Sequence, residues 1–383
     1  MPQPTRPVND RLKFVAAQQD GLFSMAELCR RYGISRQTGY KWVRRYEAHG
    51  VEGLTEGSHV PHTCPHRTAS DFADALIEAR TTHPTWGPRK ILPWLLRKRP
   101  ELEGALPAAS TVGDLFRRSG LVEPRRRRRS SVREPVGPIR ASAANEMWAA
   151  DYKGQFRTRD GVECYPLTIT DAYSRALLTC DALLSVRFSE AQPSYERCFR
   201  ENGLPVTIRT DNGPPFASAT LFGLTRLNVW WTKLGIEHER IDPGRPDQNG
   251  SHERMHRTLK AETTRPPGEH QVGQQGIFDH FRWEFVHERP HEALGQQTPA
   301  SLYTASARAM PECLPKPEYE LHCEVRHVRQ AGMIKFKGRQ IFLTQALVHE
   351  AVALEEVDDG VWSIYFYRRL LGRLNERTWK ISG

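Results

Sequence analysis

Three acidic residues, far apart in this chain of 383 residues, occupy positions where carboxylates can do chemistry. Asp151 lies within Met147-Trp148-Ala149-Ala150-Asp151-Tyr152, whose apolar character predicts a buried strand. Asp211 ends the segment 206–211, and the turn-forming Asn212-Gly213 that follows predicts a strand end that projects its carboxylate into a crevice. Glu253 lies in the first turn of a predicted helix that begins near Gly250, where the helix dipole favours a negative charge.

The chemistry open to these carboxylates depends on whether they meet in space. Three converging carboxylates would raise one another's pKa or require a cation, and oxygen ligands select hard ions such as Mg²⁺ or Mn²⁺. Two such ions suit phosphodiester chemistry, because one activates the attacking oxygen and the other stabilises the leaving oxygen. Spacing alone does not identify three acids among 45 Asp and Glu residues as a site, so unrelated surface or capping carboxylates remain an alternative.

The distribution of charge indicates a polyanionic partner. Residues 1–140 carry 25 Lys and Arg against 14 Asp and Glu, a net charge of +11, whereas the remainder carries 30 against 31, a net charge of −1. A basic N-terminal third favours nucleic-acid binding over a solubilising surface, whose charge would be spread more evenly. The seven cysteines form no Cys-x-x-Cys pair and no apolar run approaches about 18 residues, which excludes a disulfide framework and a membrane span.

Residues 1–57 predict a first helix-turn-helix domain. Ser24 and Ser35 are suitable N-caps, and Gly33 can adopt the left-handed conformation that ends a helix. In the second helix we expect Tyr40 and Val43 to pack inward, although a two-helix hairpin without DNA contacts remains the alternative. The side chains predicted to face the DNA major groove are Arg36, Gln37, Thr38, Lys41, Arg44 and Arg45.

Residues 67–122 predict a second helix-turn-helix domain, with helices over 71–82, from Trp86 onward, and over 110–119. Its last helix ends in two further candidate DNA contacts, Arg117 and Arg118. The preceding segment 58–66 is predicted to be a linker, because the spacing of His59, His62, Cys64 and His66 matches no zinc pattern. Residues 123–142 are predicted to be an arginine-rich linker. This linker either contacts DNA phosphates or is merely solvated. Its candidate phosphate contacts are Arg125, Arg126, Arg127, Arg128 and Arg129.

From residue 143 to 305 the pattern changes to an α/β core. Three successive strands are predicted first, and strands then alternate with helices, which is typical of a mixed sheet. The predicted strands are 146–156, 163–170, 176–183, 206–210 and 236–241, and the predicted helices are 194–202, 221–234, one from about 250, and 278–291. Residues 320–380 contain short alternating runs and an Asp359-Gly360 hairpin turn, which predict a small β-barrel.

The core segments resemble the catalytic core shared by retroviral integrases and bacterial insertion-sequence transposases of the Asp-Asp-Glu type. The resemblance covers about 160 residues in the family's order. It rests on Trp148-x-x-Asp151, Thr210-Asp211-Asn212-Gly213-x-x-Phe216, Pro243-Gly244-x-Pro246-x-Gln248-Asn249-Gly250-x-x-Glu253-Arg254-x-His256-x-Thr258-Leu259-Lys260, Arg289-Pro290-His291-Glu292-Ala293-Leu294 and Thr298-Pro299-Ala300. Trp86-Gly87-Pro88-Arg89-Lys90-Ile91 is similar to the helix-turn-helix region of such transposases.

The resemblance implies a multidomain protein with a ribonuclease-H-like core, in which Asp151, Asp211 and Glu253 are the catalytic residues and hold two Mg²⁺ or Mn²⁺ ions. It implies a DNA transposase that binds terminal inverted repeats, cleaves the 3′ ends of the element and joins them to target DNA. We expect it to act as a homo-oligomer on DNA in the bacterial cytoplasm, associated with the nucleoid and not with a membrane. The step of 42 positions from Asp211 to Glu253 exceeds the family's usual spacing, and we attribute the excess to the region around Trp230-Trp231.

Helical periodicity places Arg257 and Lys260 on the same helix face as Glu253, where we expect them to contact DNA phosphates. A plain salt bridge between Glu253 and Arg257 is the alternative. The same helix contains His252-Glu253-Arg254-Met255-His256, which satisfies the HExxH pattern of zinc peptidases. Its position at the very start of a basic helix, and the missing third ligand, disfavour that function. A DNA-binding regulator built on an inactive transposase core is the other alternative, which the presence of all three acids disfavours.

Overall fold

The computed structural model describes residues 8–56, 69–122, 141–218, 220–242 and 250–382. The arginine run 125–129 and the histidine and cysteine cluster of 59–66 fall outside these residues, so both predictions stay untested. No helix within the described ranges is long and apolar enough to cross a bilayer. The chain divides into two compact units, one up to Thr68 and one from Ala69 onward.

Over residues 8–56 the first unit has the α-helices α1 (Val8–Gln19), α2 (Met25–Tyr32) and α3 (Arg36–His49), and a 3-10 helix, Gly50–Leu54, follows them. The predicted caps are present, because Ser24 accepts a hydrogen bond from Glu27 N, and Ser35 accepts one from Thr38 N. Gly33 adopts the left-handed conformation, with φ of 58°, and ends α2. This short turn places α3 directly after α2, as a helix-turn-helix requires.

The apolar faces of these helices form a small core around Phe14, Leu28 and Trp42. Helix α3 approaches its neighbours at Gly39, where an added Cβ would lie 2.8 Å from Cys29 Sγ. The expectation that Tyr40 packs inward is wrong, since that side chain is half exposed. Trp42 takes its place because it lies one turn from Gly39 on the inward face of α3.

The second unit begins with three helices, α4 (Ser70–Thr82), α5 (Pro88–Lys98) and α6 (Ala109–Arg118), close to the predicted spans. Helix α5 starts with Pro88, whose missing N–H is one that the first helical turn leaves unbonded in any case. Trp86, Ile91, Val112 and Phe116 form the buried core of this helical unit.

A mixed sheet forms the centre of the second unit. Its strands are β1 (Met147–Tyr152), β2 (Phe156–Arg157), β3 (Glu163–Asp171), β4 (Leu177–Leu183), β5 (Thr207–Thr210) and β6 (Glu237–Arg240). Strands β4, β3 and β1 pair antiparallel, and β1, β5 and β6 pair parallel. Because β1 and β5 are parallel neighbours, Asp151 near the end of β1 and Asp211 just after β5 lie at the same edge of the sheet.

Helices cover both faces of this sheet. They are α7 (Phe188–Asn202), α8 (Arg226–Lys233), α9 (Gly250–Thr263) and α10 (Gln271–Trp283). Helices α7 and α8 share one apolar core with Trp148 and Ile208, and α9 and α10 share another with Leu177 and Cys180. Helix α7 starts earlier than predicted because it continues through Pro193. Helix α10 also starts earlier than predicted, at Gln271, and a π-helical turn follows it.

The C-terminal domain contains β7 (Glu324–His327), β8 (Met333–Phe336), β9 (Arg339–Phe342), β10 (Ala351–Asp358), β11 (Val361–Phe366), β12 (Arg369–Asn375) and β13 (Lys380–Ser382). The prediction of a closed barrel is wrong. Five strands form an open sheet in the order β13-β12-β11-β10-β7, and β8 and β9 form a separate hairpin. The hairpin covers one face of the sheet and buries Phe336 against Trp362, so the apolar face is covered without closure.

The segment between Asp211 and Glu253 contacts the C-terminal domain. Phe222, Leu224 and Val229 from this segment belong to the apolar core of the C-terminal domain. Lys233 Nζ at the end of α8 also lies 2.7 Å from Glu350 Oε1. This part of the core therefore docks the C-terminal domain, which motif spacing alone could not show.

This docking predicts a specific cost for Gly372→Ala. A Cβ at Gly372 would lie 2.7 Å from the backbone oxygen of Ser382 and 3.2 Å from Phe222 Cε1, so strands must move to admit it. We expect a destabilisation of about 1–3 kcal/mol, measured as faster hydrogen exchange over residues 351–375. Gly276→Ala is the matched control, because its added Cβ meets no atom within 4 Å. Unchanged exchange in Gly372→Ala would contradict this close packing of Ser382 and Phe222 around Gly372.

Candidate active site

At this edge of the sheet, Asp151 lies in surroundings that disfavour its ionised form. It lies on β1 opposite Thr168 on β3 and is largely withdrawn from solvent. Burial raises its pKa to about 7, and the charges of Asp211 and, more weakly, Glu253 add to the effect. The charges of the other two predicted carboxylates therefore reach Asp151, but among the described residues the three carboxylates do not gather within 4.8 Å of one another.

Asp211 occupies the predicted strand end. Gly213 N donates a hydrogen bond to Asp211 Oδ1 at 3.1 Å, so the turn after β5 holds the carboxylate in place. The side chain of Asn212 reaches the other way and donates to the carbonyl of Ile241 at 2.8 Å. Asp211 is thus fixed beside the end of β1 and not free in a loop.

Glu253 lies one turn into α9 and faces a cleft of about 390 Å³. Residues of opposite charge share this cleft, whose lining is Asp151, Tyr152, Lys153, Glu253, His256, Arg257 and Lys260. The helical spacing that predicted a common face for Glu253, Arg257 and Lys260 is confirmed by this shared lining. Among the described residues Arg257 forms no ion pair within 4 Å, so the salt-bridge alternative has no support.

Below the cleft, two buried histidines of α9 are tied to β3. Thr168 Oγ1 donates to the carbonyl of Asp151 at 3.0 Å and lies 2.8 Å from His252 Nε2 and 2.7 Å from His256 Nε2. Since a hydroxyl has a single proton, the two imidazoles must both donate from Nε2 when Thr168 donates to the carbonyl. Thr170 Oγ1, 2.9 Å from His252 Nδ1, then donates to that nitrogen.

This proton assignment requires His252 to be neutral, because its Nδ1 accepts a hydrogen bond from Thr170. Burial lowers the pKa of His252 to about 3, and burial together with His252 and Lys153 lowers the pKa of His256 to about 2. His256 Nδ1 then carries a lone pair and lies 3.7 Å from Asp151 Oδ2, beyond hydrogen-bonding distance. The network therefore fixes α9 against β1 and β3, and with it the relative position of Glu253 and Asp151.

The HExxH alternative is disfavoured by the direction of its side chains. The possible ligand atoms of Asp151, His252 and His256 do lie within 4.8 Å of one another. However, both ring nitrogens of His252 already bind threonine hydroxyls, and the residue is buried. Glu253 instead faces a cleft that also contains Arg257 and Lys260. This arrangement favours a structural role for the histidines.

Family models match the helical region, the mixed-sheet core and the C-terminal domain. Two models described as integrase core domain match residues 141–246 and 234–299. A helix-turn-helix domain matches residues 10–59, and a homeodomain-like domain matches residues 38–116. The C-terminal domain of the IS481 transposase family matches residues 323–382. The chain is a transposase of the Asp-Asp-Glu integrase superfamily.

Relatives of the transposase include proteins of bacterial insertion elements. An uncharacterized 39.2 kDa protein of insertion element IS476 from Xanthomonas euvesicatoria is 26% identical over 289 residues, which are 73% of this chain and 78% of the relative. An uncharacterized 31.7 kDa protein of IS407 from Burkholderia multivorans is 27% identical, over 55% of this chain and 73% of the relative. Among solved structures, the simian T-cell lymphotropic virus intasome in complex with PP2A regulatory subunit B56 gamma gives a TM-score of 0.39 at 18% identity, covering 77% of this chain and 97% of that one.

The predicted DNA contacts of the transposase are mostly accessible. On α3, Arg36, Gln37, Lys41 and Arg44 are exposed, while Thr38 and Arg45 are half-buried. At the end of α6, Arg117 and Arg118 are exposed, and Arg117 Nη1 lies 2.5 Å from Asp114 Oδ1. Accessibility is compatible with DNA binding, and the individual contacts remain predictions.

Sequence reasoning missed two features of the site. Lys153 lines the cleft beside Asp151, and the alternation of side chains along a strand could have found it, because residues two apart share a face. The pairing of Thr168 with His252 and His256 had no comparable signal, since it joins a strand to a helix more than 80 positions away.

We expect Thr168→Val to destabilise the transposase by roughly 2–4 kcal/mol, because the change leaves two buried imidazoles without their shared partner. Chemical unfolding measures the loss. The control is Thr258→Val on α9, which removes a 3.3 Å hydrogen bond to the carbonyl of Arg254 at a site open to solvent. Equal free energies of unfolding for the two variants would show that the network does not contribute to stability.

Proposed function

We propose that this transposase binds the terminal inverted repeats of a mobile element, hydrolyses one phosphodiester at each end, and joins the freed 3′-hydroxyl to target DNA by transesterification. The observation that carries the proposal is the cleft in which Asp151 and Glu253 lie beside Lys153, Arg257 and Lys260. Acidic groups for cations and basic groups for phosphates within one cleft suit phosphodiester chemistry better than peptide hydrolysis.

The donor set fits divalent hard cations. Burial and the neighbouring carboxylates raise the pKa of Asp151 to about 7, so a bound cation would restore its ionised form at neutral pH. We propose that Asp151, Asp211 and Glu253 hold two Mg²⁺ or Mn²⁺ ions, which oxygen ligands prefer. When bound, such ions activate an attacking oxygen and stabilise a leaving oxygen at phosphorus.

The protein's own groups position the DNA for this reaction. Lys153, Arg257 and Lys260 would bind phosphates on either side of the scissile bond, while the Thr168 network holds α9 at a fixed distance from β1. The exposed residues of α3 and α6 would recognise the repeat, and the linker arginines 125–129 would add salt-dependent affinity. A homo-oligomer would hold two element ends together.

The test incubates the full chain with Mg²⁺ and duplexes that carry candidate element ends, and maps nicks at nucleotide resolution. We expect one nick per end, at the 3′ boundary of the element, followed by joining to a second duplex. Specific binding without any nick would instead support the inactive regulator. Stoichiometric zinc in the purified protein, with proteolysis lost in His256→Ala, would support the zinc peptidase.

A further inference from the structure

Two arginines from different domains meet where the catalytic core contacts the C-terminal domain. Arg240 ends β6, and Arg369 begins β12. Phe222, in the loop before α8, packs on β12, because a Cβ added at Gly372 would lie 3.2 Å from Phe222 Cε1. The next residue, Gly223, supports Arg240, whose Nη1 would lie 3.1 Å from a Cβ added at Gly223. One loop therefore holds Arg240 beside the strand that carries Arg369.

The two guanidinium groups repel each other without a compensating acid. Burial lowers the pKa of Arg369 below its ordinary value, and the charge of Arg240 lowers it further. Burial, Arg369 and Arg240 also lower the pKa of His238 to about 3, so this neighbour on β6 is neutral. Within the described ranges, neither guanidinium has a carboxylate within 4 Å. A half-buried cation beside a like charge is unfavourable, and a bound anion would remove that cost.

Other cations in this part of the molecule do have an acid partner. Arg209, on the strand next to β6, lies 2.9 Å from Glu239. Lys233, at the same junction between the two domains, lies 2.7 Å from Glu350. The unpaired guanidinium groups are therefore a local feature of the Arg240 and Arg369 site, and they point to an anion that comes from outside the chain.

The position of the site indicates which anion binds there. Arg240 pairs with Thr210 across β6 and β5, and Asp211 follows Thr210 directly. Asn212 also donates to the carbonyl of Ile241 at 2.8 Å, so the two strand ends are tied together. Since neighbouring strands lie about 4.8 Å apart, DNA held at Asp211 extends to the neighbourhood of Arg240. Guanidinium groups bind phosphate oxygens through paired hydrogen bonds.

We propose that Arg240 and Arg369 together bind one backbone phosphate of DNA, at a site shared by the catalytic core and the C-terminal domain. This inference rests on the proposed binding of DNA at the Asp211 edge of the sheet, and not on the cleavage step. It adds a phosphate site whose residues do not line the cleft of Asp151 and Glu253. The bound phosphate offsets the repulsion between the guanidinium groups, so DNA also strengthens the junction between the two domains.

Arginine modification tests the site one residue at a time. The full chain is treated with phenylglyoxal, which reacts with guanidinium groups, and mass spectrometry measures the modified fraction of each arginine. Arg240 is exposed and Arg369 is half-buried, so both are open to the reagent in the free chain. The probe is a duplex of mixed sequence, which requires no knowledge of the element ends. We expect the duplex to slow the modification of both arginines. The control is Arg377, which is exposed and ion-paired with Asp359 at 3.0 Å, and its modification should not change.

Inorganic phosphate, at the same concentration of phosphate groups as the duplex, separates DNA from a free anion. We expect it to protect neither arginine. Equal modification of Arg240 and Arg369 with and without the duplex would overturn the proposal. Protection by inorganic phosphate and not by the duplex would make the pair a site for free phosphate, which overturns the assignment to DNA.

The salt dependence of binding to the same duplex tests whether the two arginines share a phosphate. Each phosphate contact contributes about 0.9 to the slope of log K against log salt concentration. We expect the double variant, Arg240→Gln with Arg369→Gln, to lose about 0.9 from the wild-type slope, whereas two separate contacts would cost about 1.8. Arg377→Gln is the matched control and should keep the wild-type slope. A loss near 1.8, or no loss, would contradict a shared phosphate.

Unfolding without DNA distinguishes this site from a purely structural one. Because the pair is repulsive in the free protein, Arg369→Gln should unfold at the same denaturant concentration as the wild type or at a higher one. Lower stability of this variant without DNA would show that the arginine itself holds the domains together, and would overturn the proposal. None of these measurements requires cleavage. A wild type that makes no nicks contradicts the proposed end cleavage, whereas a wild type that cleaves with both arginines unprotected contradicts the phosphate site alone.

Discussion

Glu253→Gln is expected to abolish strand cleavage and to leave binding of the element ends intact. The amide keeps the size of the side chain and removes the charge that a cation requires. Mutating a residue that only hydrogen-bonds to a metal ligand lowers metal affinity or activity about 10–100-fold. Loss of a ligand itself should therefore reduce the cleavage rate by more than about a hundredfold. Rapid-quench assays with Mg²⁺ measure the rate, and gel mobility measures binding.

The matched control for this variant is Glu269→Gln, the same isosteric change at an exposed side chain outside the cleft. It should cleave and bind like the wild type. If Glu253→Gln still cuts at the wild-type rate, the assignment of the site is wrong. If it loses DNA binding as well, Glu253 supports the DNA interface and not the chemistry.

Trp148→Ala is expected to destabilise the core by about 3–5 kcal/mol, the usual cost of deleting a large buried aromatic side chain. Trp148 is fully buried, and its Nε1 donates to Asn145 Oδ1 at 3.1 Å. Tyr303 donates to the same oxygen at 3.0 Å, so Asn145 links the indole at the start of β1 to Tyr303 at the end of the core. Asp151 lies three positions further along β1, so cleavage should fall as the strand loosens.

Scanning calorimetry measures this loss, with Trp283→Ala as the control. That tryptophan is half exposed, and its removal should change stability by less than about 0.5 kcal/mol. A cost below about 1 kcal/mol for Trp148→Ala would show that the strand is held by its neighbours and not by the indole.

The sequence predicted the elements that carry local signals. Caps at Ser24 and Ser35 and the left-handed Gly33 placed the first helix-turn-helix correctly, because these residues act within a single turn. The motif around Glu253 predicted the start of α9, and the apolar segment around Asp151 predicted β1. Helix boundaries were less accurate where Pro193 sits inside α7, since a proline penalty is local and packing overrode it.

What the sequence predicted by itself is therefore the succession of helical, α/β and strand-rich regions and the type of most elements, and it named three acidic residues as candidate cation ligands. The tertiary structure alone decided which residues meet. It placed Thr168 between His252 and His256, Phe222 within the C-terminal core, and Glu288 beneath α5. The physical reason is range: propensity and capping act over a few residues, whereas these contacts join segments more than 80 positions apart, and only the packed chain determines their distances.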